Sequence, residues 1–121
     1  MIKGAFTGDI PILPISVTWG RMIQTPLFIL DTGFTGDLLV TPQIAKELDL
    51  KINGATNIKV ANGDVISIST ATARASMEGR VNYVQVLISE SMPLAGISLL
   101  SKFSYKAIVD CKNRDVILER A

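Results

Sequence analysis

The chain has 121 residues, 48% of them hydrophobic, with 12 Lys plus Arg against 11 Asp plus Glu, no His and one Cys. Those numbers suit one domain, residues 1–121, with a real core and no disulfide framework. A scattered net charge of +1 argues against nucleic-acid binding and a polybasic membrane patch, the lack of His excludes Ser-His-Asp and Cys-His catalysis within the chain, and a lone Cys leaves no intrachain disulfide and no expected metal site.

Met1-Ile2-Lys3-Gly4 does not open a signal peptide, and no segment reaches the ~20 apolar residues of a membrane span, so a cytoplasmic protein with no membrane partner is expected. Ile12 to Thr18 reads as a strand with an edge or bulge at Pro14, and Trp19-Gly20-Arg21 as a turn beside a partly buried aromatic anchor. Leu27-Phe28-Ile29-Leu30, after Pro26, predicts a strand buried on both faces that runs straight into Asp31. Leu38-Leu39-Val40 is a second short apolar run. Thr41 to Leu48 predicts a helix, with Thr41 as cap, Pro42 in the first helical position, and Ile44 and Leu48 on one face.

Asn53-Gly54 predicts a loop. Ala61-Asn62-Gly63-Asp64, between Ile58–Val60 and Val65–Ser69, predicts a hairpin through a type I′ turn, whose central residues both need positive φ. The second strand can continue from Thr70 to Met77, followed by a turn at Glu78-Gly79-Arg80 and a strand from Val81 to Ile88. Leu94 to Ile97 is a short apolar segment, and Ser98 to Phe103 a short capped helix with Leu99, Leu100 and Phe103 inward. A last hairpin joins Ala107–Cys111 to Val116–Glu119, with Cys111 expected as a small core residue. Seven to nine short strands and two short helices predict an all-β chain, a small closed β-barrel.

The chemistry rests on Asp31-Thr32-Gly33. A carboxylate at a strand end is held by the sheet, Gly33 lets the backbone amide come close to it, and Thr32 brings a hydroxyl. By composition alone such a tripeptide occurs by chance in on the order of a few per cent of chains this long. What sets this one apart is the apolar run before it and the second one after it. One aspartate alone is a poor peptide hydrolase: water must lose a proton while the scissile carbonyl gains one. Two close carboxylates sharing one proton do both. With one Asp-Thr-Gly per chain, the second aspartate comes from a symmetric partner or there is no dyad.

Phe28-Ile29-Leu30-Asp31-Thr32-Gly33-Phe34-Thr35-Gly36-Asp37-Leu38-Leu39-Val40 resembles the active-site loop of the retropepsin-like aspartic proteases, most closely their single-domain prokaryotic members. Leu94-Ala95-Gly96 followed by Ile97-Ser98-Leu99-Leu100 is similar to the strand and helix that pack behind that loop. The resemblance spans about Gly4 to Glu119. It implies a closed barrel and an obligate homodimer acting on a peptide or protein substrate without a cofactor. It further implies Asp31, Thr32 and Gly33 as the catalytic loop, with Thr32 hydrogen-bonding across the dimer axis. Ala61, Asn62, Gly63 and Asp64 match the flap, which with Phe34 would contact substrate.

Two positions depart from the wider pattern. Phe34 stands where the retroviral and pepsin-like branches carry a small residue, and Ala95 where Leu or Ile is usual; the flap tip lacks an aromatic residue. A bulky Phe34 leaves open a second reading, a catalytically inactive peptide-binding or dimerisation module with the same fold. Asp37 reads as a solvated loop residue in preference to a substrate-binding carboxylate, and Asp9, Asp64, Asp110 and Asp115 are expected to serve turns.

Overall fold

The structure, a computed structural model, describes every residue from Met1 to Ala121. It begins with a strand the sequence did not announce, β1 (Ile2–Thr7), which pairs with β2 (Ile10–Pro14). Pro14 ends β2, and past the buried Ile15 the chain changes partners. β3 (Ser16–Trp19) makes a hairpin with β4 (Met22–Gln24) and also pairs with the 13-residue β8 (Val65–Met77). The Pro14 interruption is therefore a corner between two strands. Trp19, next to the turn, is half-buried as expected.

β5 (Leu27–Leu30) runs antiparallel to β2 and parallel to a two-residue strand, β10 (Leu94–Ala95). β6 (Leu38–Val40) lies on the other side of β10 and runs parallel to β9 (Arg80–Ile88). Burial on both faces, expected for β5, belongs to β6 instead. In β5, Phe28 and Leu30 are buried but Leu27 is 57% exposed, because only one face is covered. In β6, Leu38 and Val40 join the main core while Leu39 points into a second apolar cluster with Ile68 and Leu87.

Helix α1 (Pro42–Glu47) starts as the sequence predicts. The Thr41 hydroxyl accepts the Ile44 N–H at 3.2 Å, and Ala45 and Leu48 are buried. Asn53-Gly54 is not a loop but part of β7 (Ile52–Lys59), where the pairing with β8 shifts register between Ile52 and Gly54. The Asn53 amide donates to Thr72 Oγ1 at 2.8 Å and accepts from Thr70 Oγ1 at 3.3 Å, so cross-strand bonds override the local turn preference.

The β7–β8 hairpin exists, but its turn differs from the expected one. Only Gly63 has positive φ (91°); the Gly63 N–H donates to Val60 O at 2.9 Å, and Asn62 Oδ1 accepts the Asp64 N–H at 2.9 Å. The Asn62 side chain thus stabilises a wider turn than type I′. Two successive positive-φ residues occur instead at Glu78 (51°) and Gly79 (78°), between the paired Met77 and Arg80 of β8 and β9.

Helix α2 (Ile97–Lys102) begins after Gly96 at the N-cap position, with no side-chain cap, and buries Leu99 and Leu100. β11 (Tyr105–Asp110) and β12 (Asp115–Arg120) form the last hairpin, and β12 pairs with β1, setting Leu118 opposite Ile2. Cys111 is exposed in the connecting turn, contrary to the expected core position. The Asp110 carboxylate accepts the Lys112 and Asn113 N–H groups, which turns the chain before Cys111 can join the strand.

The twelve strands follow one hydrogen-bonded path, β11-β12-β1-β2-β5-β10-β6-β9-β8-β3-β4, with β7 added on β8. The sheet curls around a core of 21 residues that includes Phe28, Leu38, Val86, Phe103 and Leu118. It is barrel-like but open, since β11 and β4 do not pair. No helix is long and apolar enough to cross a membrane.

Candidate active site

The path through β5, β10 and β6 places Asp31. Its N–H donates to Ala95 O at 3.0 Å, which fixes the residue at the point where β5 leaves the sheet. The Gly33 N–H donates to Asp31 Oδ1 at 3.0 Å, and the Phe34 N–H to Asp31 O at 3.1 Å. The carboxylate is half-buried and aimed by its own loop. A Cβ on Gly33 would lie 3.3 Å from Asp31 Oδ1, so the close approach suits a residue without one.

The rest of the loop rests on the start of α2. The Ile97 N–H donates to Phe34 O at 2.9 Å and the Ser98 N–H to Gly36 O at 3.3 Å, while the Gly96 N–H reaches Asp37 O at 2.9 Å. These amides would otherwise be unpaired donors at the helix start, where no side chain caps them. Gly96 makes the contact possible, because a Cβ there would meet Gly36 O at 2.2 Å and Phe34 O at 2.6 Å.

Above the loop lies a cleft of about 520 Å³. The loop contributes Asp31, Gly33, Phe34, Thr35 and Gly36, and strand β7 contributes Thr56 through Lys59. Gln85 and Leu87 of β9, with Leu39 and Leu94, complete the lining. One wall is the second apolar cluster, where Phe34, Ile58 and Leu94 pack on Leu39, Ile68 and Leu87. Asp31 and Lys59 are the two charged side chains that face the cleft. An apolar wall beside an oriented carboxylate and a row of polar groups makes this cleft the candidate binding site. No three His, Cys, Asp or Glu side chains converge as a metal-ion site.

Of the residues singled out from sequence, the structure brings Asp31, Gly33 and Phe34 together in this cleft. Thr32 is exposed beside it and outside the lining. Ala61, Asn62, Gly63 and Asp64 are all exposed at the hairpin tip and do not line it; the hairpin contributes its β7 arm instead. Sequence reasoning placed Ile58 and Lys59 in the first strand of the hairpin but did not make Thr56 to Lys59 cleft residues; in β7, half-buried Thr56 and Ile58 alternate with exposed Asn57 and Lys59.

Asp37 is a clear correction. It is not solvated but 3% exposed, with its carboxylate paired to Lys102 and accepting the Gln85 N–H. Nothing in the local sequence marks it, because Lys102 and Gln85 are brought to it by the fold.

No protein-family model matches the chain, and no curated protein sequence matches it. Solved structures do. EIAV protease, in complex with the inhibitor HBY-793, is 15% identical and superposes with a TM-score of 0.65, over 85% of this chain and 99% of that one. A retropepsin-like aspartic protease from Rickettsia conorii is 19% identical with a TM-score of 0.62, over 98% of this chain and 89% of that one. The chain therefore has the fold of the retropepsin-like aspartic proteases.

Proposed function

We propose that the protein is a homodimeric aspartic endopeptidase in which each subunit supplies one Asp31 carboxylate to a shared dyad. The observation that carries this reading is the Asp31 carboxylate, oriented by the Gly33 N–H at 3.0 Å, at a peptide-sized cleft in a chain of retropepsin-like fold. The chain has one Asp-Thr-Gly, so the dyad requires a second copy. The exposed Thr32 is free to hydrogen-bond across the two-fold axis.

Two carboxylates about 3 Å apart hold one proton between them. The ionised one takes a proton from water as the water oxygen bonds to the scissile carbonyl carbon. The protonated one gives its proton to the carbonyl oxygen. The tetrahedral diol then collapses: one hydroxyl returns its proton, the amide nitrogen accepts a proton, and the C–N bond breaks. Substrate would lie extended along β7, whose edge away from β8 carries no strand. The hairpin tip, Ala61 to Asp64, would close over it as a flap. The reaction needs no cofactor, and the exposed free Cys111 fits a reducing, cytoplasmic setting.

The test is cleavage of a mixed peptide library by wild type, Asp31→Asn and Asp31→Ala. The expected result is cleavage by wild type and a loss of about 10³-fold or more in both variants, with unchanged unfolding curves. Wild-type rates in Asp31→Asn would overturn the reading. One observation favours the alternative of an inactive peptide-binding module: the bulky Phe34 is among the residues that line the cleft. A statine-type inhibitor, whose hydroxyl mimics the tetrahedral diol, separates the two. Affinity that depends on Asp31 supports the enzyme, and affinity indifferent to Asp31→Ala supports the module.

A further inference from the structure

We infer that Asp37, with Lys102 as its counter-ion, is a positioning residue for the active-site loop. The kinetic consequence rests on the protease reading above; the effect on the loop does not.

Asp37 is a buried carboxylate with unequal oxygens. Oδ2 accepts the Gln85 N–H at 2.9 Å and the Lys102 ammonium at 2.5 Å, whereas Oδ1 is buried with no partner. Lys102 is itself 39% exposed and also reaches Tyr83 O at 3.4 Å. Burying a carboxylate whose lone pairs are only half used is costly, and an apolar side chain would fill the site at lower cost. What an apolar residue cannot do is tie three elements together.

Asp37 does that at the end of the loop that Asp31 begins. Its main-chain oxygen accepts the Gly96 N–H at the start of α2, and its carboxylate holds Lys102 in the last turn of the same helix. A single residue therefore clamps the loop against both ends of α2. The third tie is to β9. The ladder between β6 and β9 begins at Leu38 opposite Val86, so Gln85 N–H lies one position before the first rung. The Asp37 carboxylate supplies the missing acceptor. Gln85 lines the cleft, so this tie also sets the loop against a cleft wall. At its other end the loop is held by Asp31 N–H to Ala95 O, and Ala95 precedes Gly96 directly. Loosening Asp37 releases one end of the segment from Gly33 to Gly36, which is otherwise held by main-chain bonds to α2, by the Gly33 and Phe34 N–H bonds to Asp31 and by the packing of Phe34 on the second apolar cluster. A shift of about 1 Å at a reacting group costs on the order of 10²-fold in rate.

The test uses Asp37→Asn, Lys102→Met and Lys102→Arg in the full chain. Amide hydrogen exchange is measured at Gly33, Phe34 and Ile97, with β11 and β12 as reference. The positioning role predicts exchange about 10-fold or more faster at those three amides in Asp37→Asn and Lys102→Met, with the reference strands unchanged. For peptide cleavage it predicts kcat about 10- to 100-fold lower with KM within about 3-fold, and recovery to within about 3-fold of wild type in Lys102→Arg. Wild-type protection of the loop in both charge-removing variants overturns the inference. So does a uniform loss of protection across the chain, which would make the pair a general stability element. If Asp37→Asn does not fold, the surface substitution Lys102→Met decides alone. If wild type cleaves nothing, the protease reading fails while the exchange result still decides the role of Asp37.

Discussion

Gly96→Ala tests the packing on which the candidate site depends. The added methyl would sit 2.2 Å from Gly36 O, 2.6 Å from Phe34 O and 2.7 Å from a Phe34 ring carbon. Two of these are backbone atoms and cannot rotate away. Restoring an ordinary carbon–oxygen contact requires the loop to retreat about 1 Å from α2. That retreat stretches three main-chain bonds: Ile97 to Phe34 at 2.9 Å, Ser98 to Gly36 at 3.3 Å and Gly96 to Asp37 at 2.9 Å. Overpacking typically costs ~1–3 kcal/mol, and the three bonds, stretched but not broken, together lose about what one bond is worth, ~0.5–1.5 kcal/mol, so a combined loss of about 2–4 kcal/mol is expected. With an unfolding slope of ~1.5 kcal/mol/M, the urea midpoint falls by about 1.5–2.5 M, and the melting temperature by about 10 °C. The comparison is Gly36→Ala, whose methyl has its three nearest contacts in the Phe34 ring, the first at 2.6 Å. That ring can turn, and the cost should stay near ~1 kcal/mol. A Gly96→Ala midpoint within about 0.3 M of wild type, or equal costs for the two substitutions, would refute the reasoning.

Lys59 is the one basic side chain lining the cleft, so on the proposed protease reading Lys59→Glu should shift kcat/KM away from peptides bearing an acidic residue and toward those bearing a basic one. An exposed pair supports a change of about 3- to 10-fold, read from paired substrates; an unchanged ratio means that no subsite meets Lys59. Thr41→Ala removes the hydroxyl that accepts Ile44 N–H and should cost ~1 kcal/mol, seen as a lower urea midpoint with unchanged slope. The Asp110 carboxyl is held below its ordinary value of 3.8 by hydrogen bonds from Asn113 and Lys112. A depressed carboxylate contributes stability above its unfolded pKa and loses it as pH falls through the folded one. The melting-temperature gap between wild type and Asp110→Ala should therefore be full near pH 6 and close below 3.8; a constant gap would assign it to packing.

Features set by neighbours in the chain were legible from sequence. Asp31 stands at the end of a strand because an apolar run precedes it, and α1 starts at Thr41-Pro42 because the cap and the first-turn proline act locally. What depended on partners far along the chain was not. Asn53-Gly54 looks like a loop until Thr70 and Thr72 bond to it across β8. Leu27 to Leu30 and Leu38 to Val40 are equally apolar, and only the sheet order decides which is covered on both faces. Cys111 sits in an apolar run, yet Asp110 turns the chain one residue earlier. The cleft shows the same division. Its floor, Asp31 with Gly33 to Gly36, comes from one contiguous loop, while its walls are gathered from β7 and β9, some 25 and 55 residues away.

The pairing of β1 with β12 bears on synthesis. β1 finds β2 almost at once, since Thr7 and Ile10 are joined by a tight turn. Its other edge waits for residues 115–120. At ribosomal speeds of ~5–20 residues per second, that edge stays unpaired for roughly 5–20 s in every nascent chain. An open strand edge invites pairing with whatever strand is near, including that of a neighbouring nascent chain. Alternating exposed positions at Lys3, Ala5 and Thr7 keep that waiting edge polar or small on one face. Crowded polysomes and fast overexpression should therefore be the conditions under which this protein aggregates first.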